Sequence, residues 1–454
     1  MAGAIFILVS GCSSKKNTRT TRAYHEINTR YNIYFNAEEA YKEKLDEKQK
    51  GYNDNMSLLL DIYPARDVDE LKEKTGGAFD ITVDKTTKAI KLHSIKTKPE
   101  RDPAKRKDIE YQTWLKQQEF NPFLKNVWML LGKAEYQNED YLQSVSTLSY
   151  VTRLYKTDKD IVDEARIWIA RGYTAMGWFY EAEDTFHKIK ISGGVSSHLQ
   201  PEYDAAYADY LIKKKEYSSA IPYLEKSIDS EPNRYQRTRM KYLLGQLYAQ
   251  QGDKVKAYEA FDKVMGMNTP YEFTFNAKIQ QAGLADASNR KEVLGGLDKM
   301  TRNPKNKEYL DQIYFAIGNV FLNQQDTVTA AENYRKAIEK STRGGYDKAI
   351  NQVQLGDIYF KQKDYVRAQP CYSEALTGLS KKHSEYPRVS LRSEVLDELV
   401  VYVKAVHLQD SLQVLSRMSD VQRLSAIDKI ISEQKKEDEK ERKAAERENR
   451  VQIN

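Results

Sequence analysis

Histidines, cysteines and paired carboxylates are the residues from which active sites and metal centres are built. The sequence holds six histidines, His25, His93, His187, His198, His383 and His407. They are scattered, with no His-x₃-His or His/carboxylate spacing of the kind that gathers a metal ion. There is no GxSxG elbow, no HExxH, no GxxxxGK[ST] and no CxxC. Glu38-Glu39 and Glu181/Glu183 read as solvated helix faces. Gly193-Gly194 and Gly344-Gly345 fall between helical segments and read as loops rather than phosphate cradles. The cysteines, Cys12 and Cys371, cannot make a disulfide framework, and Cys371, within PCYSEAL, reads as a small buried side chain. These patterns point to a protein that is not an enzyme and that uses no cofactor and no metal. Net charge is +6, from 72 basic and 66 acidic residues. Spread over 454 residues, this is a mixed surface, and with no basic stripe or RNA-recognition signature, nucleic acid is excluded as a partner.

What remains is binding chemistry, carried by a polar row: Lys133, Arg171, Asp209, Gln246, Asn319 and Asp357. Each follows a small residue, Gly132, Ala170, Ala208, Gly245, Gly318 and Gly356, in a series that also includes Gly283 and steps by 35 to 38 residues. A second series of small residues runs in parallel: Ser144, Ala182, Ala220, Ala257, Gly295, Ala330 and Ala368. Four residues on stands a large apolar side chain, Leu148, Phe186, Leu224, Phe261, Tyr334 or Tyr372; the fifth unit has Lys299 there and is degenerate. Small residues let two helix axes approach, and the bulky one fills the space beside them. One such pair, Arg239–Met267, is too small to bury its apolar faces alone and needs neighbours like itself. Tyr and Phe packed between helices explain much of the count of 32 tyrosines.

This pattern resembles the tetratricopeptide repeat, most fully in Leu244-Gly245, Tyr248, Gly252-Asp253, Ala257 and Phe261, and in Leu355-Gly356, Tyr359, Asp364-Tyr365, Ala368 and Tyr372. The fold expected is all-α, a superhelical solenoid of about seven to eight helical pairs. In such repeats the first helix of each pair lines a concave groove. The polar row would then face that groove, basic at first and of mixed sign later, and suit a protein or peptide ligand.

Ahead of the array, Tyr24–Lys50 reads as a helix, residues 53–64 as a connector with a short apolar run, Asp84–Ser94 as a helix and Lys96–Lys107 as a loop. After it, Arg392–Val414 and Val421–Ile431 read as capping helices. The expected layout is 1–11 signal peptide, 12–23 tether, 24–110 helical segment, 111–385 repeat array, 386–432 cap and 433–454 charged tail. In MAGAIFILVSGC the run Ala4–Val9 is too short to span a bilayer. With the small residues before Cys12 it is similar to the lipobox of bacterial lipoproteins. That likeness implies acylation at Cys12, with several chains giving stable anchoring. Ser13, not Asp, follows the cysteine, which points to the outer membrane with the chain facing the periplasm.

Three stretches carry a narrower likeness: YHEINTRYNIYFNAEEAY (24–41), IKLHSI (90–95) and EFNPFLKNVWMLLGKAEY (119–136). They resemble the PorW/SprE family of periplasmic lipoproteins of the type IX protein secretion machinery, some members of which serve gliding motility. The resemblance implies a scaffold whose partners are the periplasmic ring and outer-membrane translocon components. Other readings of a repeat lipoprotein are capture of a peptide, glycan or peptidoglycan fragment, or assembly of outer-membrane barrels.

Overall fold

The computed structural model describes residues 13–52, 54–56, 58–63, 77–265, 269–286, 289–342, 344–381 and 383–452. Cys12 and the apolar run before it lie outside these residues. The described residues form helices and loops without a strand. The chain divides into two compact units, Met1–Leu284 and Ala285–Asn454.

The first unit opens with α1 (Arg19–Asn28), a π-helical turn (Thr29–Tyr34) and α2 (Phe35–Gly51). These are continuous, so the helix expected at 24–50 begins earlier and carries a wide turn inside it. Next come α3 (Asp80–His93) and α4 (Ile109–Leu115). Four helical pairs follow: α5 (Leu124–Gln137) with α6 (Tyr141–Leu154), α7 (Lys159–Ala175) with α8 (Phe179–Ile191), α9 (Gln200–Lys213) with α10 (Tyr217–Ser230), and α11 (Arg234–Gln250) with α12 (Lys254–Val264). The unit ends in α13 (Tyr271–Gly283). The second unit holds α14 (Arg290–Arg302), the pair α15 (Leu310–Leu322) and α16 (Thr327–Lys340), and the pair α17 (Gly345–Lys361) and α18 (Tyr365–Gly378). Two long helices close it, α19 (Tyr386–Arg417) and α20 (Asp420–Gln452).

The small-to-large pairing read from the sequence is the packing rule of these pairs. A Cβ added at Gly132 would come within 2.6 Å of Leu148, at Gly245 within 2.7 Å of the Phe261 ring, and at Gly318 within 2.6 Å of the Tyr334 ring. No real side chain tolerates such distances, so glycine is the residue that lets these helices touch. Tyr334, Tyr372 and Phe261 are fully buried as a result. The turn inside each pair is also uniform. Glu139, Gly177, Lys215, Gly252, Gln325 and Lys363 all have φ between 62° and 78°. The next amide in each turn reaches back to a carbonyl of the helix: Asp140 to Glu135, Trp178 to Tyr173, Glu216 to Leu211, Asp253 to Tyr248, Asp326 to Phe321, Asp364 to Tyr359. This is the left-handed helix end that satisfies otherwise orphaned carbonyls. The aspartates then cap the following helix, Asp253 accepting from the Lys256 amide at 3.1 Å and Asp364 from that of Arg367 at 3.1 Å.

The period fails in one place. Gly283 is the last residue of α13, not its centre, and a Cβ there or at Gly295 would meet nothing within 4 Å. Pro270 caps α13 and delays its start, so the helix is out of phase with the others. The division between the two units falls in this same pair. At the C-terminal end, only the first part of α19 packs inward, through Val389, Ser393, Leu396 and Val400. The described side chains of α20 are exposed or half-buried.

Candidate functional site

The first helix of each pair carries the polar row, and the structure shows what each member touches. Lys133 on α5 forms an ion pair with Glu164 at 2.6 Å. Burial opposes its charge, but the Glu202 and Glu164 carboxylates raise its pKa overall. Arg171 on α7 is buried, with its guanidinium 3.8 Å from the Trp168 ring centre, 3.9 Å from that of Tyr63 and 4.9 Å from that of Tyr136. Contacts of this kind favour a desolvated cation. Its Nε finds no acceptor. Asp209 on α9 is buried too, and burial pushes its carboxyl up to about 6 against the pull of Lys213 and Arg171. Gln246 on α11 is likewise buried.

The reason for this burial is the chain itself. Residues 54–56 and 58–63, within the stretch expected to be a connector with a short apolar run, lie as a non-helical strap along these helices. Arg239 grips both ends of it. Its Nε and Nη2 donate to the two oxygens of Asp54 at 2.7 and 2.6 Å, and its Nη1 donates to the carbonyls of Asp61 and, at 3.0 Å, Ile62. The Tyr242 hydroxyl donates to the Met56 carbonyl at 2.9 Å. Gln246 donates to the Leu58 carbonyl at 2.6 Å and accepts from the Leu60 amide at 3.0 Å. Gln236 donates to the Ile62 carbonyl at 2.7 Å. Lys213 on α9 pairs with Asp61 at 3.0 Å. Gln236, Arg239, Tyr242 and Gln246 recur at helical spacing on α11, so one face of one helix reads the strap's main chain. Met56, Leu60 and Ile62 meanwhile join the same apolar core as Phe261 and Leu247. In the first unit, then, Arg171 and Gln246 of the polar row meet an internal peptide. A cavity of about 220 Å³ remains beside it, lined by Tyr41, Tyr63, Tyr136, Trp168, Arg171 and Gln236.

The last two members of the row are engaged by their own unit. Asn319 on α15 accepts from the Tyr334 hydroxyl at 2.7 Å. Asp357 on α17 accepts from the Tyr372 hydroxyl at 2.6 Å, from Arg388 at 2.8 Å and from Arg392 at 2.6 Å, both arginines on α19.

The motif stretches of the sequence converge on a different place. Glu119, buried, accepts from the Ile95 amide at 2.8 Å, from the Phe120 and Asn121 amides at 3.0 and 2.8 Å, and from the Ser94 hydroxyl at 2.5 Å. Asn121 donates to Thr29 Oγ1 and to the His93 carbonyl, each at 3.0 Å. Tyr34 meets Phe123 edge to face at 5.0 Å. His25 and His93, 68 residues apart in sequence, face each other through their Nδ1 atoms at 2.8 Å. Burial, then the neighbouring His25, pulls the pKa of His93 down. Spacing gave no sign of this pair, because only the fold joins α1 to α3. The Cys371 thiol is half-buried rather than buried and donates to the Arg367 carbonyl at 3.3 Å. Burial raises its pKa to about 12, which leaves it a poor nucleophile. Among the described residues no cluster of His, Cys, Asp and Glu is placed to hold a metal, and no helix is long and apolar enough to cross a membrane.

Two family models match the chain, each described as tetratricopeptide repeat, over residues 206–268 and 351–377. No curated protein matches it. Among solved structures it is similar to the apo form of RapI, at 12% identity over 65% of this chain and 78% of that one, with a TM-score of 0.37. A tetratricopeptide repeat protein from Parabacteroides merdae is 11% identical over 79% of this chain and 98% of its own, with a TM-score of 0.32. The Cut9-Hcn1 hetero-tetramer of APC/C gives 14% identity, 75% and 61% coverage, and a TM-score of 0.31. No catalytic family is indicated, and tetratricopeptide folds generally bind protein partners. The chain is an all-α protein that carries tetratricopeptide repeats in both of its compact units.

Proposed function

We propose that this chain is a non-enzymatic scaffold of the type IX secretion machinery, held at the outer membrane by acyl chains on Cys12 and facing the periplasm. Its partners are components of the periplasmic ring and the outer-membrane translocon, bound through the helical-repeat surface. The observation that supports this reading is the convergence of the motif stretches. Segments 24–41, 90–95 and 119–136 carry the resemblance, and they meet in one hydrogen-bonded knot around Glu119, Asn121 and the His25–His93 pair. A shared structural requirement ties these distant residues together, so they are informative as a set. Because the strap engages Arg171 and Gln246, partner contacts of the first unit are directed toward the outer surfaces of its repeats.

The test is deletion of the gene followed by an assay for export of type IX cargo. Loss of export, restored by the intact gene and not by Cys12→Ser, is expected. Normal export in the deletion strain refutes the reading.

A further inference from the structure

The continuous helical stretch from α1 through the π-helical turn to Phe35 at the start of α2 is patterned inside out over its first half. Its inward face there is polar, with Thr21, His25 and Thr29, four residues apart, buried, before Ile33 and Tyr34 pack inward further on. Its outward face is apolar: Tyr24, Ile27, Tyr31 and Phe35 are 39%, 57%, 66% and 56% exposed. A surface helix of a soluble domain has the opposite arrangement, with its apolar stripe turned to the core. The knot satisfies the polar face. Thr29 Oγ1 donates to the His25 carbonyl at 2.5 Å and accepts from Asn121, and His25 meets His93. Within the described residues, Tyr24 meets the His25 ring edge to face and the Arg30 guanidinium stands over the Tyr31 ring, yet all four side chains of the apolar face stay largely exposed. An aromatic and aliphatic stripe along consecutive turns marks a surface that something covers.

We infer that this stripe lies in the interface of a phospholipid bilayer, so that the first helix docks flat on the membrane. Three features favour lipid over protein. Between residues 13 and 31 the chain has five basic residues, Lys15, Lys16, Arg19, Arg22 and Arg30, and one acidic residue, Glu26. That balance suits anionic headgroups. Two of the four stripe residues are tyrosines, which prefer the headgroup level, where the ring is half-apolar and the hydroxyl stays wet. The stripe also follows closely on the apolar N-terminal run. Only six residues separate Cys12 from Arg19, a reach of at most about 20–25 Å. An interfacial helix of this kind buries its apolar face about 5–10 Å into the headgroup boundary. The inference rests on the proposed lipid anchoring for its tether, and it adds a second, orienting contact. One acyl attachment leaves a protein free to swivel, whereas a docked helix fixes which face of the repeats points away from the membrane.

The experiment uses the full chain with Cys12→Ser, which cannot be acylated, in flotation with vesicles of phosphatidylethanolamine and phosphatidylglycerol and, in parallel, of phosphatidylcholine. Residues 1–11 are common to every variant, so their background cancels. Adding Tyr24→Ser, Ile27→Ser, Tyr31→Ser and Phe35→Ser together is expected to lower the bound-to-free ratio at least tenfold on the anionic vesicles. The thermal midpoint serves as the check on folding. If that variant does not fold, Lys15→Glu/Lys16→Glu/Arg19→Glu, all on the surface, is expected to lower anionic binding at least tenfold and to leave the phosphatidylcholine value unchanged. A ratio that moves less than twofold in a folded variant overturns the inference. So does a stripe variant that floats like its parent but no longer co-purifies secretion components, which would assign the stripe to a protein. Failure of the type IX reading shows up separately, as normal cargo export in the deletion strain, and leaves the vesicle result standing.

Discussion

The strap of the first unit is held by a charge pair whose removal should have a large and asymmetric effect. The side chains of Arg239 and Asp54 are 2% and 3% exposed and join through two hydrogen bonds. Removing one partner of such a pair strands a buried charge, at a cost of about 3–5 kcal/mol. Asp54→Asn leaves the Arg239 guanidinium one neutral amide oxygen, beside the Asp61 and Ile62 carbonyls, in place of a carboxylate. Arg239→Met removes the charge and also those two carbonyl contacts, each worth about 1.5–3 kcal/mol to a charged donor. With a urea slope of about 3 kcal/mol/M, Asp54→Asn should lower the midpoint of the first unit by about 1–1.7 M, and Arg239→Met by more than that. The double variant should cost less than the sum of the two, with a coupling of about 2–3 kcal/mol. Hydrogen exchange supplies the local readout. The Leu60 amide, bonded to Gln246, should lose protection in both single variants while the α11–α12 pair keeps its own. Strictly additive costs, or an Asp54→Asn cost below about 1 kcal/mol, would refute the claim that this pair pins the strap.

Three further outcomes follow from the same geometry. Gly245→Ala puts a Cβ 2.7 Å from the Phe261 ring and should destabilise the first unit by about 1–3 kcal/mol, with Phe261→Leu in the same chain recovering part of the loss in urea unfolding. Asp209 has a folded pKa of about 6, above its ordinary value of 3.8. The folded state therefore holds the proton more tightly, so this group's contribution falls as pH rises from 3.8 to 6, by up to about 3 kcal/mol at 1.36 kcal/mol per unit. Asp209→Asn should accordingly stabilise at pH 7 and make no difference near pH 4, and a loss of stability at pH 7 would show that its partners outweigh its burial. His93 titrates the other way: its folded pKa lies below 6.5, so the unfolded chain binds the proton first. Stability should be complete above pH 6.5 and decline below it, and His93→Gln should flatten that decline in thermal melts across pH 5–7.

Much of the fold is legible in the sequence because close packing writes itself into residue size. Gly132 with Leu148, Gly245 with Phe261 and Gly318 with Tyr334 are contacts within single helical pairs, 16 residues apart in sequence each time, and a fixed local separation leaves a period. The site is less legible because its contacts have no fixed separation. Arg239 meets Asp54 across 185 residues, and Gln246 meets Leu60 across 186. Nothing periodic links such partners, so the polar row looks like an open groove when each residue is read alone. A signal was nonetheless available. Met56, Leu60 and Ile62 stand in a stretch with no helical continuation, and an apolar run in a connector has to be buried against something. On α11 the buried Arg239 likewise needs a carboxylate from elsewhere. Joining those two needs, an apolar connector without a core and a core cation without an anion, is enough to place Asp54 beside Arg239. On α1 the need runs in reverse: Tyr24 and Ile27 fall on the exposed face, away from the core of the described residues.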